Sequence, residues 1–509
     1  MKINILDYFD DTVIKNPLKI AVIENEKKIC FLDLKKKSIQ LASQINSILK
    51  NKKNVPIAVF IKKSINSIKA NIAITYSGNI YMNLDINYPP QRINNIIKNV
   101  RPRVVLVDRF SVKKFKNKFN GIIILNIDNI SSKKINKFSY SYKSLIDTDP
   151  YCLINTSGST GVPKSVVLNH RNFIDFIERA SDELNINNNE VIGSLSPLVF
   201  DIYSFELCML IAKSSTIVII PEEYSLFPVK ILNLLSKKNV NFIFWVPTIL
   251  VNIANMNLLK NIRLKYLKKI WFAGEVFPTK QFNYWYNKLP KATFVNLYGP
   301  IEITLDCTFF IINRKFKDSE PLPIGHKFRN TDVLILNSKN KICKPNEIGE
   351  LCVRGSSVAM GYYNNWSKTS GVFVQNPLNN FYPELIYKTG DLVLKNFNGE
   401  ILFRGRKDDL IKHRGYRIEL KEIEHIIINN LKLVSNACVV YDNLKKNIVL
   451  FYESKKKDLS EKIIKKKFYK YIPQYMVPKE YKNVLIMKRN INGKIDRLYY
   501  NKLINKKNY

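Results

Sequence analysis

Residues 151–164 read YCLINTSGSTGVPK, a β-like run that enters a segment of hydroxyl side chains and glycines and ends at a lysine. Glycine lets backbone N–H groups approach an anion closely, and hydroxyl groups supply further donors. Lys164 adds a point charge suited to phosphate. The spacing is not that of a Walker A loop, and Pro163 directly precedes the lysine. A serine- and glycine-rich turn is the structural alternative, but this combination of residues favours a phosphate-binding loop.

Short β-rich runs alternate with amphipathic helical stretches on both sides of this loop, over much of the first 400 residues. Examples are VPIAVFI (55–61), NFIFWV (241–246) and the helical pattern PVKILNLLSKK (228–238). Strands that alternate with helices predict an α/β sheet architecture. Residues 331–405 instead contain mostly short strands and turns, which indicates a small β-rich subdomain.

The sequence predicts two domains joined by a hinge. A large N-terminal core over 1–404, with its β-rich subdomain at about 320–404, precedes a break at 405–409. Residues 410–509 contain a helical pattern, RIELKEIEHIIINNL, two strands and a basic amphipathic helix. This small α+β stretch of about 100 residues is long enough for a mobile lid domain.

The chain has 509 residues and a net charge of +39, from 81 basic and 42 acidic side chains. Such a charge raises the hypothesis of a nucleic-acid or membrane-surface partner. Lysine, asparagine and isoleucine are abundant everywhere, however, and arginine is not clustered, so a compositional bias with a solvated basic surface explains the charge better. We therefore predict neither a nucleic-acid nor a membrane partner.

Other features predict a cytoplasmic protein with reduced thiols. No run reaches the roughly 18 apolar residues of a membrane helix, and the N-terminus, MKINILDYFDD, is acidic where a signal peptide would be apolar. The seven cysteines form no CxxC pair, and the four histidines lack metal-ligand spacing. Neither a zinc site nor a disulfide framework is expected.

Six further motifs accompany the loop in a fixed order. They are SGNIYMNLDINYPPQR (77–92), NLYGPIE (296–302), GELCVRGSSVAMGYY (349–363), YKTGDL (387–392), GRKDDLIKHRGYRIELKEIE (405–424) and NGKIDR (492–497). With TSGSTGVPK, this series resembles the adenylate-forming superfamily, which comprises acyl-CoA synthetases, luciferases and the adenylation domains of nonribosomal peptide synthetases. The resemblance covers nearly the full chain. Departures from the family pattern at Ser165, Ile301, Met360 and Lys421 affect affinity, not the reaction class.

The resemblance implies an ATP site with Mg²⁺. The residues implied to bind phosphate are Thr156, Ser157, Gly158, Ser159, Thr160, Gly161 and Lys164. The residues implied to bind adenine or ribose are Gly274, Glu275, Asn296, Tyr298, Gly299, Asp391 and Arg406. Glu302 is the implied Mg²⁺ ligand, Thr160 and Lys494 are implied catalytic residues together with Glu302, and Asp408 is the implied hinge. The tyrosine ring can stack on adenine and a carboxylate suits ribose hydroxyls. Structural alternatives are a helix-start acid at Glu302, a turn residue at Asp391 and a solvated lysine at 494.

Residues 197–212, PLVFDIYSFELCMLIA, place Asp201 and Glu206 in an apolar run, where a carboxylate needs a partner. Asp201 could cap a helix that starts at Ile202. The resemblance instead implies that Phe200-Asp201 pairs with a substrate α-ammonium group, which favours an α-amino acid. The further implied pocket residues are Ile202, Phe205, Thr248, Trp271, Ala273, Leu297, Leu305 and Asp306. Their large apolar members suggest a small neutral side chain, Asp306 hints at serine or threonine, and proline or D-alanine stays open.

The implied reaction has two steps: formation of an aminoacyl-AMP with release of pyrophosphate, then transfer to the phosphopantetheine thiol of a carrier protein. Because the chain ends about a dozen residues after NGKIDR, we expect a stand-alone ligase with a separate carrier. Basic runs at 455–457 and 465–467 could dock an acidic carrier, although a solvated helix face is the simpler interpretation. The alternatives are an acyl-CoA or aryl-acid ligase, an inactive homologue and a basic nucleic-acid-binding protein.

Overall fold

The computed structural model describes residues 2–115, 121–129, 141–158, 161–454, 459–490 and 495–505. The chain divides into two compact units. Unit 1 comprises Met1–Ile86, Arg101–Ile154 and Val166–Lys407, and unit 2 comprises Asn87–Val100, Asn155–Ser165 and Asp408–Tyr509. The boundaries 1–404, 405–409 and 410–509 stay predictions.

Helices begin where polar side chains cap them. The Asn4, Ser64 and Asn169 side chains each accept a hydrogen bond from a backbone N–H of the first helical turn that follows. The α-helices of the described residues are α1 Ile5–Lys15, α2 Phe31–Leu49, α3 Ile65–Tyr76, α4 Pro90–Val100, α5 His170–Glu183, α6 Asp201–Lys213, α7 Pro228–Lys237, α8 Pro247–Asn255, α9 Thr279–Lys288, α10 Trp366–Val372, α11 Leu420–His425, α12 Glu461–Phe468 and α13 Arg497–Asn505.

The strands are short and many are buried on both faces, as expected of strands covered by helices. In the described residues they are β1 Ile20–Glu24, β2 Lys27–Cys30, β3 Pro56–Phe60, β4 Ile80–Asn83, β5 Val104–Val107, β6 Ile123–Asn126, β7 Pro150–Thr156, β8 Lys164–Asn169, β9 Val191–Ser194, β10 Thr216–Ile219, β11 Phe242–Trp245, β12 Lys269–Phe272, β13 Thr293–Tyr298, β14 Thr308–Ile311, β15 His326–Lys327, β16 Thr331–Leu336, β17 Gly349–Gly355, β18 Gly361–Tyr362, β19 Phe373–Gln375, β20 Leu385–Lys395, β21 Ile401–Arg406, β22 Leu410–His413, β23 Tyr416–Glu419, β24 Asn436–Asp442, β25 Asn447–Glu453 and β26 Glu480–Val484.

The described residues of unit 1 form three sheets. A nine-stranded sheet has the order β15-β14-β13-β12-β11-β9-β10-β1-β2, and a seven-stranded sheet has the order β18-β8-β7-β4-β3-β5-β6. The strands from β1 and β10 through β9, β11 and β12 to β13 pair in parallel. The third sheet, β16-β17-β20-β19 with β21 paired to β20, is antiparallel. These sheets confirm the predicted α/β architecture and its small β-rich part.

Unit 2 contains a two-stranded sheet, β22-β23, and a three-stranded sheet, β24-β25-β26. The predicted helix over 417–431 is wrong at its N-terminal end. Arg417 to Glu419 belong to β23, which pairs with β22 in the register Ile411 to Ile418, and α11 is followed by a π-helical turn at Ile426–Asn430. The apolar pattern was compatible with a helix throughout, and cross-strand pairing decided the conformation of its first residues.

All seven cysteines lie in the described residues as unpaired thiols. Cys152, Cys208, Cys307, Cys352 and Cys438 are buried, whereas Cys30 and Cys343 are partly exposed. Burial raises the pKa of each of the five buried thiols, to about 12 for Cys352 and Cys438. Within the described ranges, none of the helices has the length and hydrophobicity of a membrane span.

Candidate active site

Three residues with predicted roles in nucleotide binding meet in unit 1. Tyr298 ends β13, and the pairing of β20 with β21 sets Asp391 opposite Arg406. The Tyr298 hydroxyl donates to one carboxylate oxygen of Asp391, and the Arg406 guanidinium donates to the other. A second guanidinium nitrogen donates to the Thr389 carbonyl at 3.0 Å. We name Tyr298, Asp391 and Arg406 the Asp391 corner.

The Asp391 and Tyr298 side chains of the corner are buried, and Arg406 is partly buried. Asp391 is 2% exposed and Tyr298 is 6% exposed. Burial first, and then the adjacent Asp391 charge, raise the pKa of the Tyr298 hydroxyl well above its ordinary value, so the hydroxyl stays a donor. The sequence predicted ring stacking for Tyr298 but missed this hydroxyl contact. A buried tyrosine generally needs a hydrogen-bond partner, and that rule was the available signal.

Glu302, the predicted Mg²⁺ ligand, lies in a 3₁₀ turn, Ile301–Ile303, directly after Pro300. Its carboxylate is fully buried and accepts a hydrogen bond from the Tyr362 hydroxyl at 2.8 Å. Tyr362 belongs to the GELCVRGSSVAMGYY motif, so two motifs meet here. Mg²⁺ at nucleotides commonly takes one or two carboxylates and completes its shell with phosphate oxygens and water. A single buried carboxylate therefore fits the predicted ligand.

Asp201 is the first residue of α6, one position earlier than predicted, and Phe200 is the N-cap. The Asp201 carboxylate accepts from the Ile202 N–H at 2.9 Å. An acidic group in the first turn is favoured by the helix dipole, but the alternative in which Asp201 is the N-cap is wrong, because Phe200 holds that position. The second acid of the run, Glu206, has the partners that the sequence required: Ser194 donates to it, and Lys63 pairs with it at 3.4 Å.

The apolar residues predicted to line the amino-acid pocket lie in the large buried core cluster of unit 1, and their role in a pocket stays a prediction. Phe205 and Trp271 have ring centroids 5.5 Å apart, and both rings also contact Phe242 and Phe244. The predicted residues in this cluster are Ile202, Phe205, Trp271, Ala273, Leu297 and Leu305. Asp306 follows Leu305 and is 3% exposed.

The backbone beside this cluster is strained. Thr304 and Leu305 have φ values of 49° and 65°, a left-handed conformation that residues with a Cβ rarely adopt. Gly299 closes the same turn, because a Cβ there would lie 2.2 Å from the Leu305 carbonyl oxygen. Strain of this kind is concentrated at functional sites.

Thr248 and Glu275, which the sequence assigned to different subsites, contact each other. One oxygen of Glu275 accepts from the Thr248 hydroxyl at 2.5 Å and from the Thr248 N–H at 3.0 Å. Pro247 starts α8, so Glu275 satisfies an N–H of the first turn of that helix. Of the other predicted nucleotide residues, Asn296 donates to the Pro323 carbonyl at 2.7 Å, and Gly274 has φ of 90°.

The phosphate loop, residues 156–164, connects β7 to β8. The Ser157 hydroxyl donates to the Arg417 carbonyl at 2.8 Å, and the Gly158 N–H donates to Glu422 at 3.1 Å. Lys164 pairs with Glu419 at 2.6 Å. Gly158 is required sterically, since a Cβ there would lie 2.1 Å from the Val162 carbonyl oxygen.

Several predicted residues have no structural account. Ser159, Thr160, Lys494 and the basic run 455–457 lie outside the described residues. Asp408, the predicted hinge, is the first residue of the C-terminal part of unit 2, and its carboxylate accepts from the Leu410 N–H at 3.3 Å. Its hinge role stays a prediction.

Two α/β sheets, a small antiparallel sheet and a hydroxyl- and glycine-rich loop between β7 and β8 are consistent with the predicted class of adenylate-forming enzymes. The family of AMP-binding enzymes matches residues 9–363, more than half of the chain. The chain therefore belongs to the AMP-binding enzyme family, which confirms the resemblance to the adenylate-forming superfamily.

The chain is also similar to individual curated proteins. Zwittermicin A synthase ZmaJ of Bacillus cereus is 29% identical over 96% of this chain and 93% of its own length. Gramicidin S synthase 1 of Brevibacillus brevis is 28% identical over 96% of this chain, which spans only 43% of that relative. The chain is therefore an AMP-binding, adenylate-forming enzyme that is similar over nearly its full length to these two synthases.

Solved structures show the same fold. The artificially fused adenylation–PCP di-domain protein NpsA-ThdA from Klebsiella oxytoca has 20% identity and a TM-score of 0.81, over 99% of this chain and 96% of that chain. The o-succinylbenzoate CoA synthetase MenE from Bacillus subtilis has 19% identity and a TM-score of 0.84, over 98% of both chains. Because a carrier-linked enzyme and a CoA ligase match equally well, the fold alone leaves the acyl group and the thiol open.

Proposed function

We propose that this chain activates an α-amino acid as an aminoacyl-AMP and then transfers it to the phosphopantetheine thiol of a separate carrier protein. The observation that carries the choice of an amino acid is Asp201. It places a carboxylate at the start of α6, one residue before Ile202 of the buried apolar cluster. A substrate α-ammonium group would pair with it, whereas a fatty or aryl acid would leave the carboxylate without a cationic substrate group.

The aromatic cluster supports a small side chain. Phe205 and Trp271 are 0% and 1% exposed, and their rings pack against each other, so they leave little space for a long substrate. Asp306 adds a buried acceptor at the edge of this cluster, suited to a hydroxyl group. Serine, alanine, threonine and proline, in either enantiomer, are the candidates that this pocket favours.

In the first step, an amino-acid carboxylate oxygen attacks the α-phosphorus of ATP, and pyrophosphate leaves. The phosphate loop, with Lys164, binds the phosphates, and Asp391 with Tyr298 holds the ribose and adenine. Glu302 is the residue that would hold Mg²⁺, which supplies charge neutralisation at the phosphates. Lys494 would orient the substrate carboxylate. Positioning and electrostatic stabilisation account for most of the catalysis in such chemistry.

In the second step, a thiol attacks the activated carbonyl carbon, the acyl–phosphate bond breaks, and AMP leaves. We propose that the part of the chain after Asp408 reorients between the two steps, which requires a hinge that tolerates a large backbone change. The basic run Lys465–Lys467 lies in the last turn of α12 and is available to an acidic carrier.

The decisive experiment is carboxylate-dependent ATP–pyrophosphate exchange with the common amino acids, D-alanine, β-alanine, a benzoate and a fatty acid. We expect exchange with one small α-amino acid. Lys494→Ala should abolish it, whereas the exposed Lys502→Ala on α13 serves as the matched control and should retain it.

A second pair of variants tests the role of Asp201. Asp201→Asn should raise the KM for the amino acid about 100-fold with little change in the KM for ATP, because a charge-assisted pair is lost from the amine alone. The exposed Asp182→Asn on α5 is the matched control. Exchange only with a non-amino acid would overturn the assignment of Asp201 and indicate an acyl-CoA or aryl-acid ligase.

A further inference from the structure

Two carboxylates of unit 2 occupy donors of the phosphate loop. Glu419, at the end of β23, lies 2.6 Å from the Lys164 ammonium, and Glu422, on α11, accepts from the Gly158 N–H at 3.1 Å. A glycine N–H and a lysine ammonium are the donors that phosphate oxygens use in loops of this kind.

Both carboxylate oxygens of Glu422 accept hydrogen bonds from protein donors. One oxygen accepts from the Arg92 guanidinium at 2.7 Å, and the Arg92 and Glu422 side chains are 5% and 1% exposed. Burial raises the pKa of the Glu422 carboxyl, while Arg92 and the Gly158 N–H favour its charged form. A carboxylate bound by a guanidinium and a backbone N–H has the same recognition chemistry as a phosphate oxygen.

The segment that carries both carboxylates lies directly against the loop. The Ser157 hydroxyl accepts from the Glu419 N–H at 3.1 Å while it donates to the Arg417 carbonyl. On the other side, a Cβ at Gly161 would lie 2.8 Å from the His425 ring. The Gly158 N–H carries one hydrogen, and that hydrogen already points to Glu422. A phosphate at this position must therefore displace the carboxylate.

We propose that Glu419 and Glu422 are internal competitors of the nucleotide phosphates: they occupy the Lys164 ammonium and the Gly158 N–H and must leave before phosphate oxygens bind to these two donors. The proposal rests on the proposed function only in that the loop binds phosphate. It concerns binding and makes no assumption about the acyl substrate.

The test compares Glu419→Gln with Glu461→Gln in the full chain. Glu461 is an exposed residue at the start of α12, so its variant makes the same charge change away from the loop. Calorimetry would measure the affinity for inorganic pyrophosphate, for α,β-methylene-ATP and for adenosine, which has no phosphate. We expect Glu419→Gln to bind both phosphate ligands about tenfold more tightly, because a charged competitor has been neutralised. Its adenosine affinity, and all affinities of the control, should not change.

A second variant tests Glu422 without leaving a buried charge. Arg92→Met combined with Glu422→Leu removes the buried pair as a whole, a replacement that proteins often tolerate. It should likewise tighten pyrophosphate binding. Unchanged or weaker pyrophosphate binding in both variants, or equal tightening of adenosine, would overturn the proposal.

These outcomes separate this proposal from the proposed function. Tighter pyrophosphate binding without exchange on any amino acid would support the internal competitors and reject amino-acid activation. Normal exchange with unchanged pyrophosphate affinity would do the reverse.

Discussion

The Asp391 corner of unit 1 and the phosphate loop of unit 2 are both built from motif residues, yet their charges are satisfied in opposite ways. In the corner, the group predicted to bind ligand is an acid, and protein donors from Tyr298 and Arg406 occupy both of its oxygens. In the loop, the groups predicted to bind ligand are donors, and the acids Glu419 and Glu422 occupy them.

This difference indicates two kinds of preparation for binding, one at Asp391 and one at the loop. A carboxylate has about four lone-pair sites, so Asp391 can accept from ribose hydroxyls and keep its protein donors. A backbone N–H has a single hydrogen, so the loop has to exchange partners. The corner is therefore preorganised, whereas the loop carries a substitute for its ligand.

Removing the carboxylate of the Asp391 corner should have the largest effect on the free energy of unfolding. Asp391→Asn removes the buried negative charge that the Arg406 guanidinium and the Tyr298 hydroxyl contact, which should cost about 3 kcal/mol in the free energy of unfolding. Denaturant titration would measure the loss. Asp332→Asn is the control, because Asp332 pairs with Lys327 and Arg354 at a more exposed position and should cost less than about 1 kcal/mol. Equal losses in the two variants would contradict the distinction.

Acid should destabilise both units through one buried histidine in each. Burial lowers the pKa of His170 in unit 1 and of His413 in unit 2 to about 4. The ordinary value is higher, so the unfolded chain takes up protons first as the pH falls. The stabilisation is complete above about pH 6.5 and is lost progressively down to about pH 4. For the fully buried His170, the loss amounts to roughly 3 kcal/mol.

The variant His170→Asn isolates this contribution. The ring nitrogen Nδ1 of His170 accepts from the Ile5 N–H at 3.3 Å, and an asparagine oxygen can accept the same hydrogen bond without titrating. We expect a flatter profile of unfolding free energy between pH 6.5 and 4, measured by urea titration at each pH. A profile as steep as that of the parent chain would assign the acid sensitivity elsewhere.

A variant at Lys164 tests the comparison between the loop and the Asp391 corner by measuring ligand affinity. Lys164→Met should weaken α,β-methylene-ATP binding about 30-fold, equivalent to roughly 2 kcal/mol for a lost charge-assisted contact. It also leaves the Glu419 carboxylate unpaired, which lowers stability. Adding Glu419→Gln to this variant should restore its stability and leave its affinity for α,β-methylene-ATP low. If the affinity also recovered, Lys164 would act only as the ion-pair partner of Glu419 and not as a phosphate ligand. The surface variant Lys288→Met controls for charge.

The smallest effect is expected at an exposed ion pair. Lys445 and Glu480 lie 2.8 Å apart, with 62% and 27% of their side chains exposed. Lys445→Met should leave the free energy of unfolding unchanged within the error of a denaturant titration, since solvent screens such pairs. A larger loss in denaturant titration would mean that exposure does not separate the weak ion pairs of this chain from the strong ones.

The local pattern of apolar and turn residues was enough to predict many of the strands and helices. Runs such as TDVLIL and NACVVYD coincide with β16 and β24, because alternating or continuous apolar residues bounded by turn residues leave few alternatives. The predicted helix from Arg417 failed since its first residues pair with β22, a contact that the apolar period does not encode.

Site residues were predictable as members of motifs, whereas their partners were not. Sequence order cannot reveal that Glu275 accepts from Thr248, that Lys63 balances Glu206 or that Arg92 holds Glu422, because each pair joins residues far apart along the chain. The burial of Glu206 was the exception: an acid in an apolar run requires a partner, even though the sequence does not name it.

The burial of the thiols has a practical consequence for testing the proposed motion about Asp408. Thiolates are the form that reacts with alkylating dyes, and burial with a raised pKa keeps Cys152, Cys208, Cys307, Cys352 and Cys438 protonated and shielded. Only Cys30 and Cys343 need replacement before new cysteines are introduced. A dye pair at the exposed positions Asp182 and Glu461 would then report the distance between the two units by energy transfer while ATP, amino acid and carrier are added in turn.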